Sequence, residues 1–168
     1  MKRSPSLRDL SVDHHHALVQ GNRLIRAVSA DDATRHRLAE EFLQFWRGDG
    51  QRHFCEEEQV LLPFFARYGE VKVEPIEQML LEHALIRRDA VMLAEDSTHD
   101  AHLCRRLGEQ LVAHVRLEER VIFPLIEEAL SDEALKELEG RLLAFHGEAE
   151  QDKEKMKANL SVSALTGE

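Results

Sequence analysis

The chain has 168 residues, 43% of them hydrophobic, and its formal net charge is −10. This length supports one domain with its own core, and the acidic charge would repel a phosphate backbone, so we expect no nucleic-acid partner. The N-terminal segment lacks the apolar stretch of a signal peptide, and no run of about 18 apolar residues occurs. We therefore expect no membrane span and a cytoplasmic protein in which Cys55 and Cys104 are free thiols.

Apolar residues recur with a helical period along most of the chain, and only 5% of residues are aromatic, which favours an all-α fold. The predicted helices cover, in chain order, residues 10–28, 33–68, 74–96, 99–130 and 131–148. Short connections between the first four predict an up-down-up-down four-helix bundle with a short fifth C-terminal helix. We expect residues 1–150 to form this single domain and residues 151–168 to form a polar, flexible tail.

The second predicted helix contains a possible break at the glycine pair Gly48 and Gly50. Trp46, His53 and Val60 nevertheless keep one seven-residue register through these glycines. The sequence therefore predicts one bent helix here rather than two separate helices.

An eleven-residue pattern occurs twice, as His53-Phe-Cys-Glu-Glu-Glu-Gln-Val-Leu-Leu-Pro63 and as His114-Val-Arg-Leu-Glu-Glu-Arg-Val-Ile-Phe-Pro124. In each copy a glutamate follows the histidine by four residues, so both side chains project from one face of a helix. A histidine and a carboxylate within an apolar stripe lose hydration energy unless they are paired or bind a cation. The repeat therefore predicts two halves of one metal site.

Two further helices offer one histidine each. His83 lies near the middle of the apolar face of the third helix. The first helix contains His14, His15 and His16, and of these only His14 shares its face with Leu10 and the other apolar residues. We therefore choose His14 as the candidate on the first helix, with His15 and His16 as alternatives.

The candidate metal ligands are four imidazoles and two carboxylates, namely His14, His53, Glu57, His83, His114 and Glu118. One tetrahedral zinc ion needs fewer ligands, and the set contains no cysteine, which argues against a structural zinc site. Mixed nitrogen and oxygen donors in a helix bundle suit a pair of iron or manganese ions that the two glutamates can bridge. Glu56, Glu58 and Glu119 lie about 100° further round their helices, so we expect solvated or supporting roles for them.

Other kinds of chemistry are not indicated. The sequence has no Gly-rich phosphate loop, no GxSxG motif and no cysteine set beside a histidine for nucleophilic catalysis, so we assign no catalytic residue. His146 precedes Glu150 by four residues on the fifth helix, outside the four-helix core, and we expect these two to form a surface ion pair.

These motifs resemble the hemerythrin-like, or HHE cation-binding, family, whose members have a histidine on the first helix, HxxxE on the second and fourth helices, and a histidine on the third. The resemblance covers about residues 8–130. It implies an up-down four-helix bundle that holds two iron ions in a non-haem di-iron centre, bridged by carboxylates and an oxo or hydroxo group. Manganese or zinc are possible replacements. The small-molecule partner implied is dioxygen or a related small oxidant.

Two positions depart from the oxygen-carrying hemerythrins. Those proteins have a second histidine four residues after the one on the third helix, where this chain has Arg87, and an Asp five residues after the fourth-helix histidine, where it has Glu119. Both differences count against oxygen transport. We expect a protein that binds or senses dioxygen, peroxide or nitric oxide. The alternatives are an iron-dependent peroxide-decomposing enzyme and a structural metal-binding bundle.

Overall fold

The computed structural model describes residues 4–147, and all the regular structure in this range is helical. The predicted all-α class is therefore confirmed, while the predicted tail of residues 151–168 lies outside the described residues. The described residues form five helices, labelled α1 to α5 in chain order. Helix α1 is Arg8–Ala27, α3 is Glu74–Glu95 and α5 covers residues 132–147. Helix α2 runs without interruption from the segment Asp32–Phe45 to the segment Leu62–Phe65, and α4 runs in the same way from Ala101–Leu117 to Phe123–Ala129.

Side-chain caps set the starts of two of these helices. The Asp31 carboxylate accepts a hydrogen bond from the Thr34 backbone N–H at 2.7 Å, and the Asp100 carboxylate accepts one from the Leu103 N–H at 2.9 Å. Each cap satisfies a backbone donor that has no partner within its helix. None of the described helices has the length and hydrophobicity needed to cross a membrane.

The glycine pair in α2 forms a widened turn, not a break. Trp46–Gly50 is one turn of π-helix, in which the Gln51 N–H bonds to the Trp46 carbonyl five residues earlier. A Cβ atom at Gly50 would lie 2.7 Å from the Trp46 ring, so this position needs glycine. The expectation of one continuous helix is correct, and the extra residue in the turn explains how the helix passes the glycines.

Two more π-turns begin at the candidate ligands Glu57 and Glu118. They cover Glu57–Leu61 and Glu118–Ile122, and a proline follows each of them at the second position, Pro63 or Pro124 in the repeated motif. Proline has no N–H to donate and its ring crowds the preceding turn, which favours a wider turn at that point. The repeated motif therefore encodes a local widening of the helix at each glutamate.

The helices enclose two apolar clusters with a polar layer between them. Each of the first three helices packs against the next, and α4 also packs against α1. On α1, Leu10 belongs to one cluster and Ala17 to the other, with His14 between them. On α3, Met79 and Ile86 flank His83 in the same way. The candidate ligands therefore lie at one level of the bundle, sealed by apolar residues above and below.

Helices α1 and α4 approach most closely at Gly21 and Gly108. A Cβ atom at Gly108 would lie 2.6 Å from the Gly21 carbonyl oxygen, a rigid backbone atom that cannot turn aside. The two glycines therefore set the spacing between the helices that carry His14 and His114.

We expect Gly108→Ala to destabilise the fold by about 1–3 kcal/mol, because the added methyl group forces the two backbones apart. Urea denaturation monitored by circular dichroism measures this change. Gly140→Ala is the matched control, since nothing lies within 4 Å of a Cβ atom at this exposed helical position. The control should be neutral or more stable by up to about 1 kcal/mol. Equal stabilities of the two variants would contradict the close-approach explanation.

Candidate metal centre

The structure brings the six predicted side chains together in the centre of the bundle. All are buried, with exposures between 0% and 6%: His14, His53, Glu57, His83, His114 and Glu118. His15 and His16, the alternatives on α1, are exposed. The apolar periodicity of α1 thus selected the inward-facing histidine.

The six side chains form two ligand groups that share both glutamates. One group consists of His14 and His53 with the two carboxylates, and the other of His83 and His114 with the same two carboxylates. Within each group the ligand atoms lie within 4.8 Å of one another. Each group offers two nitrogen and two oxygen donors.

Glu57 directs one carboxylate oxygen towards each group. Its Oε1 atom lies 3.3 Å from His53 Nε2 and 3.9 Å from His14 Nε2. Its Oε2 atom lies 3.3 Å from His83 Nε2 in the other group. The Glu57 carboxylate can therefore bridge two cations.

Glu118 does the same from the opposite helix. Its Oε2 atom lies 3.0 Å from His14 Nε2, and its Oε1 atom lies 3.0 Å from His114 Nε2 and 3.6 Å from His83 Nε2. The two carboxylates thus span the gap between the two pairs of imidazoles. This arrangement provides two neighbouring cation positions, one for each pair of histidines.

The inward-facing atoms have no hydrogen-bond partners among the described residues. This is true of Nε2 in all four histidines and of all four oxygens of Glu57 and Glu118. Buried polar atoms without partners cost free energy, and buried carboxylates cost the most. Cations bound between these atoms would satisfy all of them at once, so the donor set fits a metal pair.

Outer carboxylates hold two of the histidines from behind. His14 Nδ1 lies 2.7 Å from Glu119 Oε1, and His83 Nδ1 lies 2.7 Å from Glu58 Oε1. A hydrogen bond from Nδ1 to a carboxylate fixes the tautomer and directs Nε2 towards the metal. Glu58 and Glu119 therefore have the supporting position that we expected for them.

The other two histidines have outer carboxylates that our sequence analysis missed. His114 Nδ1 lies 3.0 Å from Glu82 Oε2, and Asp13 Oδ2 is 3.6 Å from His53 Nδ1. Asp13 and Glu82 each immediately precede an inward-facing histidine in the sequence but contact the histidine of a neighbouring helix. The position of Asp13 and Glu82 next to a candidate ligand is visible in the sequence, but their contact with a histidine of another helix cannot be predicted from it.

A comparison of the chain with models of protein families agrees with the ligand groups, the paired motifs and the helical fold. The model of the Hemerythrin HHE cation binding domain matches residues 6–126. The chain belongs to this family. Comparisons with curated proteins and with solved structures gave no match.

Arg87, at the position where oxygen-carrying hemerythrins have a histidine, supports this HHE domain from outside the ligand groups. Its guanidinium donates two hydrogen bonds to the Glu58 carboxylate, at 2.7 and 3.0 Å. It also lies 5.3 Å from the centre of the Phe54 ring, and that ring stacks on His83 at 3.7 Å. Arg87 therefore fixes both the hydrogen-bond partner and the stacking partner of His83.

Opposite charges dominate the electrostatics of the HHE site when no cation is bound. Burial alone would lower the pKa of His114, but the negative charge of Glu118, 3.0 Å from Nε2, and the contact of Nδ1 with Glu82 raise it to about 9. Burial alone would raise the pKa of Glu118, but His114, His14 and His83 hold it well below its ordinary range. The protonated imidazole of His114 and the ionised carboxylate of Glu118 therefore stabilise each other when no cation is bound.

Glu56 and His146 differ from our expectations. Glu56 is fully buried, and the His146 Nε2 atom lies 3.0 Å from its Oε2 atom. His146 therefore faces the bundle and contacts a buried carboxylate, because α5 packs against the end of the bundle. Its expected partner Glu150 lies outside the described residues. Glu56 is not solvated, since it is buried in contact with His146 and Arg52.

A small apolar pocket reaches the HHE centre from one side. Its walls include Trp46, Phe54 and Leu111, and it also contacts His53 and Glu118. The space accommodates about one water-sized molecule. The pocket therefore leaves a small space beside the candidate ligands.

Proposed function

We propose that the domain holds two iron ions and uses them to bind or sense dioxygen, peroxide or nitric oxide. One ion would be held by His14 and His53, the other by His83 and His114, with Glu57 and Glu118 as bridges. The observation that carries this proposal is the sharing of both carboxylates by two histidine pairs whose inward atoms have no other hydrogen-bond partner. We also propose the up-down-up-down arrangement of α1 to α4, in which each helix supplies a ligand.

The donor chemistry supports iron. Imidazole and carboxylate ligands suit iron and manganese, whereas structural zinc sites are generally tetrahedral and often include cysteine. Each position would receive two nitrogens and two oxygens, which leaves room for a small ligand on an ion that favours six donors. Bound iron would supply reversible redox chemistry towards small oxidants. Free thiols at Cys55 and Cys104 agree with a reducing compartment such as the cytoplasm.

The residues of the chain would control access and orientation. The outer carboxylates Glu58, Glu82 and Glu119 hold the imidazole rings so that little reorganisation is needed when the ions bind. Phe54 and Trp46 line the pocket and limit the approach of water and larger molecules. The environment therefore favours small, weakly polar ligands over anions.

The test is to purify the protein aerobically without added metal, measure iron, manganese and zinc per chain, and record the absorption spectrum. We expect two irons and the near-ultraviolet and visible bands of a bridged ferric pair. His53→Ala combined with His114→Ala removes one nitrogen ligand from each position and should abolish both irons. The matched control replaces the exposed His15 and His16 with Ala and should retain them. Two irons per chain in the first double variant would contradict the proposal.

An iron-dependent peroxide-decomposing enzyme is a second candidate, favoured by Arg87. Because Arg87 bonds to Glu58 and supplies no ligand, the position of His83 and His114 keeps open coordination sites, which turnover of peroxide requires. Rapid oxygen evolution from hydrogen peroxide that depends on iron loading would favour the enzyme, whereas stoichiometric oxidation without turnover would favour binding or sensing. A structural metal bundle would instead fold equally well with zinc and show no ferric bands.

A further inference from the structure

A second cluster of potential metal ligands lies beside the di-metal centre. Asp13 on α1, Glu56 on α2 and His146 on α5 place one ligand atom each within 4.8 Å of one another. None of the three belongs to the candidate ligands described above. The cluster combines two carboxylates with one imidazole, which is the donor set that first-row divalent metals accept.

Glu56 is the buried member of this cluster. It is fully buried, and neither of its oxygens receives a hydrogen bond among the described residues. Arg52 Nε lies 3.2 Å from Oε1 and His146 Nε2 lies 3.0 Å from Oε2, but the geometry of neither contact is that of a hydrogen bond. A buried carboxylate whose oxygens accept no hydrogen bond is suited to bind a cation between it and its neighbours.

The charges around Glu56 leave room for a divalent cation. The Arg52 guanidinium lies within 3.5 Å of three carboxylates, at 3.2 Å from Glu56, 3.4 Å from Asp49 and 3.5 Å from Asp13. The three carboxylates outnumber this one guanidinium, so the cluster can take up further positive charge. Arg52 can remain paired with Asp49, which is half-exposed, while an ion occupies the space between the other ligands.

The cluster is connected with the centre through His53 and the pocket. Asp13 Oδ2 lies 3.6 Å from His53 Nδ1, so a single imidazole ring separates the cluster from the first cation position. The pocket that contacts His53 and Glu118 is also lined by Asp13 and Asp49. Because the centre is buried, ions must enter through the protein, and Asp13 lies both in the cluster and in the wall of the pocket beside the ligands.

We propose that Asp13, Glu56 and His146 form a third cation site, which takes up a divalent transition-metal ion before it reaches the di-metal centre. The loading role rests on the function proposed above, while binding of an ion at the cluster does not. Three protein ligands leave coordination positions for water, so the ion binds weakly and exchanges readily. Acidic side chains around the pocket also raise the local concentration of cations.

The experiment is a Co²⁺ titration of the metal-free, untagged, full-length protein, followed by calorimetry and by visible absorption. We expect a tight pair of ions and one weaker equivalent that His146→Ala removes. His146→Gln keeps the size and polarity of the side chain and should lose the same equivalent, which separates ligand loss from misfolding. The exposed His102→Ala on α4 is the control and should bind as many ions as the wild type.

A second variant separates this inference from the proposed function. In His53→Ala combined with His114→Ala, the tight pair should disappear while the equivalent that depends on His146 remains. Identical stoichiometry of the wild type and both His146 variants would overturn the third site. Loss of that equivalent without slower filling of the tight pair, measured by stopped-flow absorption, would overturn the loading role.

Discussion

Removal of the metal is expected to lower the thermal midpoint of unfolding by about 10 °C or more. A ligand that binds only the native state at 1,000 times its Kd adds about 4 kcal/mol, and 1 kcal/mol shifts the midpoint of a domain of this size by about 2–4 °C. The physical reason is that the inward atoms of His14, His53, Glu57 and their partners lack hydrogen bonds without a cation. Differential scanning calorimetry before and after chelation and dialysis measures the shift.

The control is the variant with His53→Ala and His114→Ala, which lacks a nitrogen ligand at each position. Its midpoint should change much less than that of the wild type on chelation or on addition of Fe²⁺. Restoring Fe²⁺ to the metal-free wild type should return most of the lost stability. Equal midpoints for the metal-free and metal-loaded wild type would mean that the buried histidines and glutamates are satisfied without metal.

The stability of the metal-free protein is expected to fall as the pH rises from about 6.5 to 9. The pKa of His114 is about 9 in the folded protein and 6.5 in the ordinary state, so its proton stabilises the fold. This contribution is complete below pH 6.5 and is lost as the pH rises through 9. The free energy of unfolding should therefore fall by an amount on the order of 3 kcal/mol between these pH values. Urea denaturation at the two pH values measures it.

At acidic pH the dependence of stability on pH has the opposite sign. The pKa of Glu118 is lowered in the folded protein, so its contribution is present above its ordinary pKa of 4.5 and is lost as the pH falls through the lowered value. In the metal-loaded protein, cations replace the protons on the imidazoles, so the loss towards pH 9 should disappear. A metal-free protein whose unfolding free energy is the same at pH 6.5 and pH 9 would contradict this account.

Most of the correct predictions about inward-facing residues came from helical periodicity in the sequence. The i to i+4 spacing placed His53 with Glu57 and His114 with Glu118 on inward faces, and the apolar stripe of α1 separated His14 from its neighbours. These inferences need only the geometry of a single helix. The role of these residues as metal ligands stays a prediction that the metal analysis tests.

Contacts between helices were beyond the reach of the sequence. Periodicity gives the face on which a residue lies, but not which side chain of another helix it meets, and so Asp13 and Glu82 were missed as partners of His53 and His114. The contact of His146 with Glu56 depends in the same way on how α5 packs. The π-turns had a local signal in the repeated proline, but the hydrophobic pattern alone does not distinguish a π-turn from an α-helical turn.

The two proposed cation positions share their carboxylates, so binding of an ion at one position would affect binding at the other. Filling one position would fix the ionisation and orientation of both Glu57 and Glu118, so the second ion would meet ligands that are already in place. The carboxylates between the two ions would also offset the repulsion between them. Molecules with a single ion should then be scarce, and a limited supply of iron would change how many molecules are complete rather than how complete each molecule is.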